Sequence, residues 1–200
     1  MTMPCERFDL FPTRTWLFRL PQLAGLFPAW EREISDWRAS EAAQGSSNRN
    51  GWTSAKTAFE RVAFAPLQQA VQNCMTIALA EAGLPRTPAL QIHAWVNWQE
   101  PGGFNHFHSH GAAALSAVFY LTVPPGSGEI VFRDPRPGIN LIGLTGDGAN
   151  CKSVASHAPA AGELLIIPGW LEHAVDLNAA STARISIAAN CYLDPAAGRD

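Results

Sequence analysis

Two hundred residues, with a hydrophobic fraction of 47%, seven tryptophans and ten phenylalanines, are enough for one good core, and one domain is expected over 1–200. A formal charge of −3, with lysines and arginines scattered along the chain, gives no reason to expect a nucleic-acid or membrane partner and leaves small molecules as the natural ligands. No run reaches about 18 consecutive apolar residues, the N-terminus lacks the unbroken apolar run of a signal peptide, and Cys5, Cys74, Cys151 and Cys191 form no CxxC pair, so a soluble cytoplasmic protein without a disulfide framework or thiolate zinc site is expected.

In chain order, residues 1–88 read as a mainly helical layer. Apolar residues at Leu26, Trp30, Ile34 and Trp37 recur at the helical period, as do Leu67, Ala70, Val71, Cys74, Ala78 and Ala82. Pro66 suits the first turn of the second helix and Gly83 its stop. Between the helices, "EAAQGSSNRNGW" reads as a polar loop.

From 89 to 194 the character changes to short β runs divided by Gly and Pro: "LQIHAWVNW", "ALSAVFYLTV", "GEIVFRD", "GELLIIP", "HAVDL" and "RISIAANCYL". Such spacing favours a sandwich or barrel, and the expected class is mainly β, an antiparallel jelly-roll core with N-terminal α-helices packed on it. The segment 136–161 is long for a plain connection and is expected to be a lid or to carry small strands of its own.

Half of the six histidines, His106, His108 and His110, stand at alternate positions in "GGFNHFHSHGAAALSAVFYL". Side chains at i and i+2 of a strand project to one face, so any HxH pair here can chelate one ion. Neutral imidazole suits Fe, Zn, Cu or Ni and does not choose among them. Two ligands make a poor site, and the natural third is His173, where "GELLIIPGWLEHAV" ends a strand, turns through Pro168-Gly169 and opens the next.

The segment "WVNWQEPGGFNHFHSHGAAALSAVFYLTVPPGSGEIVFRDPR", with "AGELLIIPGWLEHAV", "ARISIAANCYL" and the upstream "SSNRNGWTS", resembles the 2-oxoglutarate/Fe(II) oxygenases of bacteria and phages. The resemblance covers most of the chain in order and implies a double-stranded β-helix, a cupin-like jelly roll. It places the metal ligands on His108, His110 and His173 and leaves His106 outside the pattern, as an exposed extra or a partner behind a ligand. Better-characterised oxygenases of this superfamily carry Asp or Glu at the second HxH position, so three imidazoles would leave Fe(II) with one more unit of positive charge. Asp134 of "FRDPR" is an alternative carboxylate ligand, although its place at a strand end better suits a turn.

By the same resemblance, Arg184 and Ser186 of "ARISIAAN" anchor the far carboxylate of 2-oxoglutarate, for which a planar guanidinium is suited. An arginine amid Ala and Ile must find a partner if it faces inward. Tyr120 and Asn97 either face the pocket beside the co-substrate or are ordinary satisfied core polar groups. Trp95, Trp98, Phe119 and Trp170 read as packing. The expected activity is an Fe(II)- and 2-oxoglutarate-dependent dioxygenase that hydroxylates a small molecule or side chain. Two other readings are a cupin-type three-His metalloenzyme that does not use 2-oxoglutarate and a non-catalytic small-ligand-binding β-helix. A homodimer through apolar residues of the N-terminal helices is compatible with the sequence.

Overall fold

The computed structural model describes the chain except for residues 1, 2, 4, 7, 9, 46, 85–89, 139–151 and 194–200. Nine strands and two α-helices are formed by the described residues: β1 (Trp16–Arg19), α1 (Phe27–Ser40), β2 (Asn48–Thr53), α2 (Ala65–Glu81), β3 (Gln91–His108), β4 (Leu115–Thr122), β5 (Ile130–Arg133), β6 (Val154–His157), β7 (Glu163–Pro168), β8 (His173–Val175) and β9 (Arg184–Tyr192). The fold is the expected mainly antiparallel jelly roll with two helices on it. The strands run in the order β1-β7-β4-β9-β3-β8-β5-β6, with β2 added beside β3.

β3 joins the two halves of the roll. Its first part, residues 91–99, pairs antiparallel with β9, whereas Asn105 and His108 pair with Val175 and His173 of β8. Between the two parts lie Gly102, at φ +80°, and Gly103, where a Cβ would stand 2.8 Å from the Asn50 carbonyl oxygen. Side chains at these positions would prevent the strand from changing sheets.

Alternation along the strands separates two interiors. Ala94 and Val96 of β3, Leu115, Ala117, Phe119 and Leu121 of β4, and Ile185, Ile187, Ala189 and Cys191 of β9 pack into one core with the helices. α1 contributes Trp30, Ile34 and Trp37, and α2 contributes Leu67, Val71, Cys74, Met75, Ala78 and Leu79, each set at helical spacing. Phe119 meets both Phe27 and Trp30 edge-to-face at 5.8 and 6.0 Å, and burying such a side chain contributes roughly 2–3 kcal/mol. The intervening residues, Trp95 and Asn97, Val118 and Tyr120, and Arg184, Ser186 and Ala188, line a cavity of about 520 Å³ inside the roll.

Two sequence expectations change. β1 and β2 lie in the part expected to be helical, and the polar loop between the helices ends in a strand: Asn48↔Asn105 and Trp52↔Trp98 are partners in the β2–β3 ladder. "NRNGWT" lacks apolar alternation because main-chain pairing to β3, not burial of one face, makes it a strand. Of the segment 136–161, expected to be a lid or to carry small strands of its own, half lies outside the described residues, and in its remainder β6 is such a strand, paired with β5. No helix among the described residues is long and apolar enough to cross a membrane.

Candidate metal centre and anion pocket

His108 closes β3 and His173 opens β8, directly opposite one another in the register. His110 lies in the turn beyond β3, tied down by its N–H, which donates to the Gly169 carbonyl at 2.8 Å. Gly169 permits this approach, since a Cβ there would meet the Ala113 carbonyl oxygen at 2.0 Å. The three rings gather with centroids 4.5, 5.1 and 5.2 Å apart, and one nitrogen from each lies within 4.8 Å of the others.

Main-chain carbonyls select the tautomers. Nδ1 of His108 donates to the His106 carbonyl at 2.7 Å, and Nδ1 of His173 donates to the Leu171 carbonyl at 2.9 Å. A carbonyl can only accept, so the proton is on Nδ1 and the Nε2 lone pair is left for an ion. Asn190 Nδ2 lies 3.2 Å from Nδ1 of His110 and donates to it; a half-turn of this amide, whose Oδ1 has no partner among the described residues, would put the proton on Nδ1 and free Nε2 in the same way. Burial, followed by the neighbouring imidazoles, lowers His110 to about 3; burial, aided by His108, lowers His173 to about 4. Both are therefore neutral lone-pair donors at pH 7. A set of three imidazoles with free lone pairs fits a divalent first-row metal, iron included.

His106 does not join the cluster: it is exposed, its ring set edge-on to Phe104 at 4.9 Å, and it serves the site through its main chain, the carbonyl accepting from His108 and the N–H donating to the Ser47 carbonyl. Asp134 is not a ligand either. Its carboxylate grips Arg136 through contacts of 2.6 to 3.3 Å and its own turn, which also holds its pKa below the ordinary value.

The cavity continues to Arg184. On β9, Ser186 lies opposite Asn97 of β3 on one side and Tyr120 of β4 on the other, so the three share one row, and Arg184 faces Gln99 in the next. Arg184 is 3% exposed, donates to the Ser127 and Gly128 carbonyls and to Gln99 Oε1, and forms no carboxylate ion pair among the described residues. Burial brings its pKa down to about 10, still protonated at neutral pH. Among the described residues its Nε and the buried Tyr120 hydroxyl both lack a partner, and burial drives the Tyr120 pKa upward. A guanidinium and a phenol with unspent donors in one pocket are a receptor for an anion. Asn97 differs, since its Oδ1 accepts from Thr53 at 3.2 Å.

Four residues that the sequence did not single out connect these parts. Arg184 donates to Gln99; Gln99 Nε2 donates to Asn105 Oδ1 at 2.6 Å; Asn105 Nδ2 donates to Ser47 Oγ at 2.9 Å; and the Ser47 hydroxyl lies 3.3 Å from His108 Nε2. The fourth, Asn190, reaches His110. Gln99 and Asn190 were legible in principle, as even offsets from Asn97 and Arg184 put them on the pocket face. Ser47 arrives through β2 pairing, and its only mark in the sequence is its place in the stretch "SSNRNGWTS".

The tryptophans divide. Trp98 packs beneath the Arg38 guanidinium and Phe119 lies in the core, as expected. Trp95 instead walls the cavity beside His110, with centroids 5.8 Å apart, because it falls on the same strand face as Asn97. Trp170 is 53% exposed in the turn before β8, so it is not a packing residue.

Residues 93–190 match the family described as "Putative 2OG-Fe(II) oxygenase". Among curated proteins none matches the chain. Solved structures with a similar fold include a prolyl-4-hydroxylase from Pseudomonas putida, 17% identical with a TM-score of 0.67, covering 91% of this chain and 94% of that one. A prolyl hydroxylase from Trichoplax adhaerens, in complex with a hypoxia inducible factor peptide fragment, is 12% identical with a TM-score of 0.67 over 89% and 83% of the two chains. HygX from Streptomyces hygroscopicus, with nickel and 2-oxoglutarate bound, is 10% identical with a TM-score of 0.63 over 90% and 83%.

Proposed function

The chain belongs, through residues 93–190, to the 2OG-Fe(II) oxygenase family, and from that premise we propose that it is an Fe(II)-dependent dioxygenase that consumes 2-oxoglutarate and hydroxylates a small molecule or side chain. The observation that carries this reading is the pairing, in one cavity, of a three-imidazole cluster with a buried guanidinium that forms no carboxylate ion pair among the described residues. His108, His110 and His173 would hold the iron. Arg184 would take the far carboxylate of 2-oxoglutarate, with the Tyr120 and Ser186 hydroxyls beside it. When bound, iron and 2-oxoglutarate supply the oxidising chemistry, with oxygen reduced as 2-oxoglutarate goes to succinate and CO₂.

The protein's own contribution is orientation. Carbonyls of residues 106 and 171 aim two imidazoles, and the Gln99–Asn105–Ser47 chain holds the Arg184 guanidinium in place. The apolar walls Val118, Ile130 and Val175 shelter the site from water. HygX, solved with nickel and 2-oxoglutarate bound, supports a metal and that co-substrate, and the prolyl hydroxylases share its fold. Their differing partners leave the primary substrate open.

The three-His set also suits a cupin-type metalloenzyme that works without 2-oxoglutarate, but such an enzyme has no use for an unpaired buried arginine in its pocket. Anaerobic addition of Fe(II) and 2-oxoglutarate to the metal-free protein decides between them. A weak visible absorption band that needs both additions, and is absent in Arg184→Ala, is the expected result. Folded, iron-loaded protein without the band selects the cupin-type reading, and protein that takes up no metal selects a non-catalytic binding role.

A further inference from the structure

Among the described residues, those that line the cavity include Arg184 and Lys56 but not one aspartate or glutamate. Arg184 is deep, and the proposed co-substrate accounts for it. Lys56 is at the mouth and is exposed, and among the described residues it makes no ion pair. Its ammonium stands 5.4 Å from the centroid of the Trp95 ring, and that ring stands 5.8 Å from the ring of His110. Lys56 also belongs to a second, shallower depression, formed with Gln91, His93 and Tyr192, so one cation bridges the cavity mouth and the adjoining surface.

This charge distribution excludes some substrates and favours others. A metal held by three neutral imidazoles keeps its full double charge, and a dianion shared between it and Arg184 still leaves one unit of positive charge at that end of the cavity. With Arg184 turned to that dianion, Lys56 is a second positive charge with nothing opposite it. A cationic substrate would meet repulsion from both ends of the cavity, and no lining carboxylate would attract it. A substrate with an anionic group would place that group on Lys56, rest a flat or apolar body on Trp95 and reach the metal cluster about one aromatic ring further in.

Resting on the oxygenase reading for the identity of the reaction, we propose that Lys56 and Trp95 form the specificity element for the primary substrate, a small molecule that carries a carboxylate or phosphate about one ring's length from the carbon to be oxidised. Lys56 reads the anion and Trp95 aligns the body; neither holds metal or co-substrate.

The test uses the full chain loaded with Zn(II), which supports no turnover, in saturating 2-oxoglutarate so that Arg184 is already occupied. Phenylacetate, phenyl phosphate and the neutral phenylacetamide serve as probes, with affinities measured calorimetrically at low salt. The expected result is at least tenfold tighter binding of one of the anions than of the amide, a preference abolished in Lys56→Met, while 2-oxoglutarate affinity is unaltered in that variant. Preference for phenylacetate over phenyl phosphate, or the reverse, identifies the anion. Equal affinities of the native protein for anions and amide, or a preference that survives Lys56→Met, overturns the proposal. If 2-oxoglutarate itself fails to bind the zinc-loaded protein, it is the oxygenase reading that fails. The comparison of anion and amide is then made with zinc alone and still decides the role of Lys56.

Discussion

His108 and His173 face each other across the β3–β8 pair and are held by the same device, each Nδ1 donating to the main-chain carbonyl two residues earlier in its own strand or turn, at 2.7 and 2.9 Å. Both rings are thereby set in one tautomer before any ion arrives. The entropy of orienting two of the three ligands is met by the fold rather than at binding.

Removal of a ligand should therefore abolish binding without unfolding the chain. His173→Ala is expected to lower iron content, after Fe(II) loading and desalting, from about one ion per chain to below about 0.1, since two imidazoles alone make a weak site. Circular dichroism should remain native. An His173→Ala protein that retains stoichiometric iron would show that the cluster is not the metal centre.

Arg184 acts on a different ligand and should separate from the metal. Arg184→Met is expected to weaken 2-oxoglutarate binding by roughly 100-fold, in the range found when one partner of a buried charge pair is truncated, while iron affinity stays within a fewfold of native. Arg184→Lys, which keeps the charge but loses the planar fork, should fall between the two. Equilibrium dialysis with labelled 2-oxoglutarate reads both variants.

The Gln99–Asn105–Ser47 chain predicts a positioning effect. Asn105→Ala strands the Gln99 amide and leaves Ser47 without its donor, at a cost of about 1–3 kcal/mol in urea unfolding. Because Gln99 then loses its anchor against Arg184, KM for 2-oxoglutarate should rise more than kcat falls. A purely structural role for Asn105 would lower stability and leave that ratio unchanged.

Stability of the metal-free protein should depend on pH through His110 and His173, which the fold lowers to about 3 and about 4. In the unfolded chain each returns to about 6.5, so below that pH the unfolded state binds more protons than the native state and stability falls as pH falls. The loss begins near pH 6.5, reaches about 2 kcal/mol for each histidine at pH 5 and levels off below the native values. Urea midpoints at pH 7.5, 6 and 5 check this against the double variant His110→Gln, His173→Gln, in which the slope should shrink. A native-protein midpoint that matches the variant's pH dependence would contradict it.

Much of the site could be read from the chain because strands state their own geometry. Alternation alone puts Arg184 and Ser186 on one face of β9 and Asn97 on the matching face of β3, and it places Ile185 and Ile187 in the opposite core. Helical spacing likewise announced Trp30, Ile34 and Trp37 as the buried stripe of α1. Trp95 was misread as packing although it sits on the same face as Asn97, because an aromatic ring that lines a pocket and one that fills a core are chemically alike.

What the sequence by itself determined is therefore local: the residue types able to bind a metal and an anion, and the face of each strand on which they stand, both set within a few residues by covalent geometry. Which faces meet was decided only in the tertiary structure. Pairing of β3 with β8 brought His173 to His108, and pairing of β2 with β3 delivered Ser47, although "NRNGWT" has no strand pattern of its own. Strand pairing is made by main-chain groups that every residue carries, so distant partners leave almost no mark in the side chains, and their choice is settled by the packing of the whole roll.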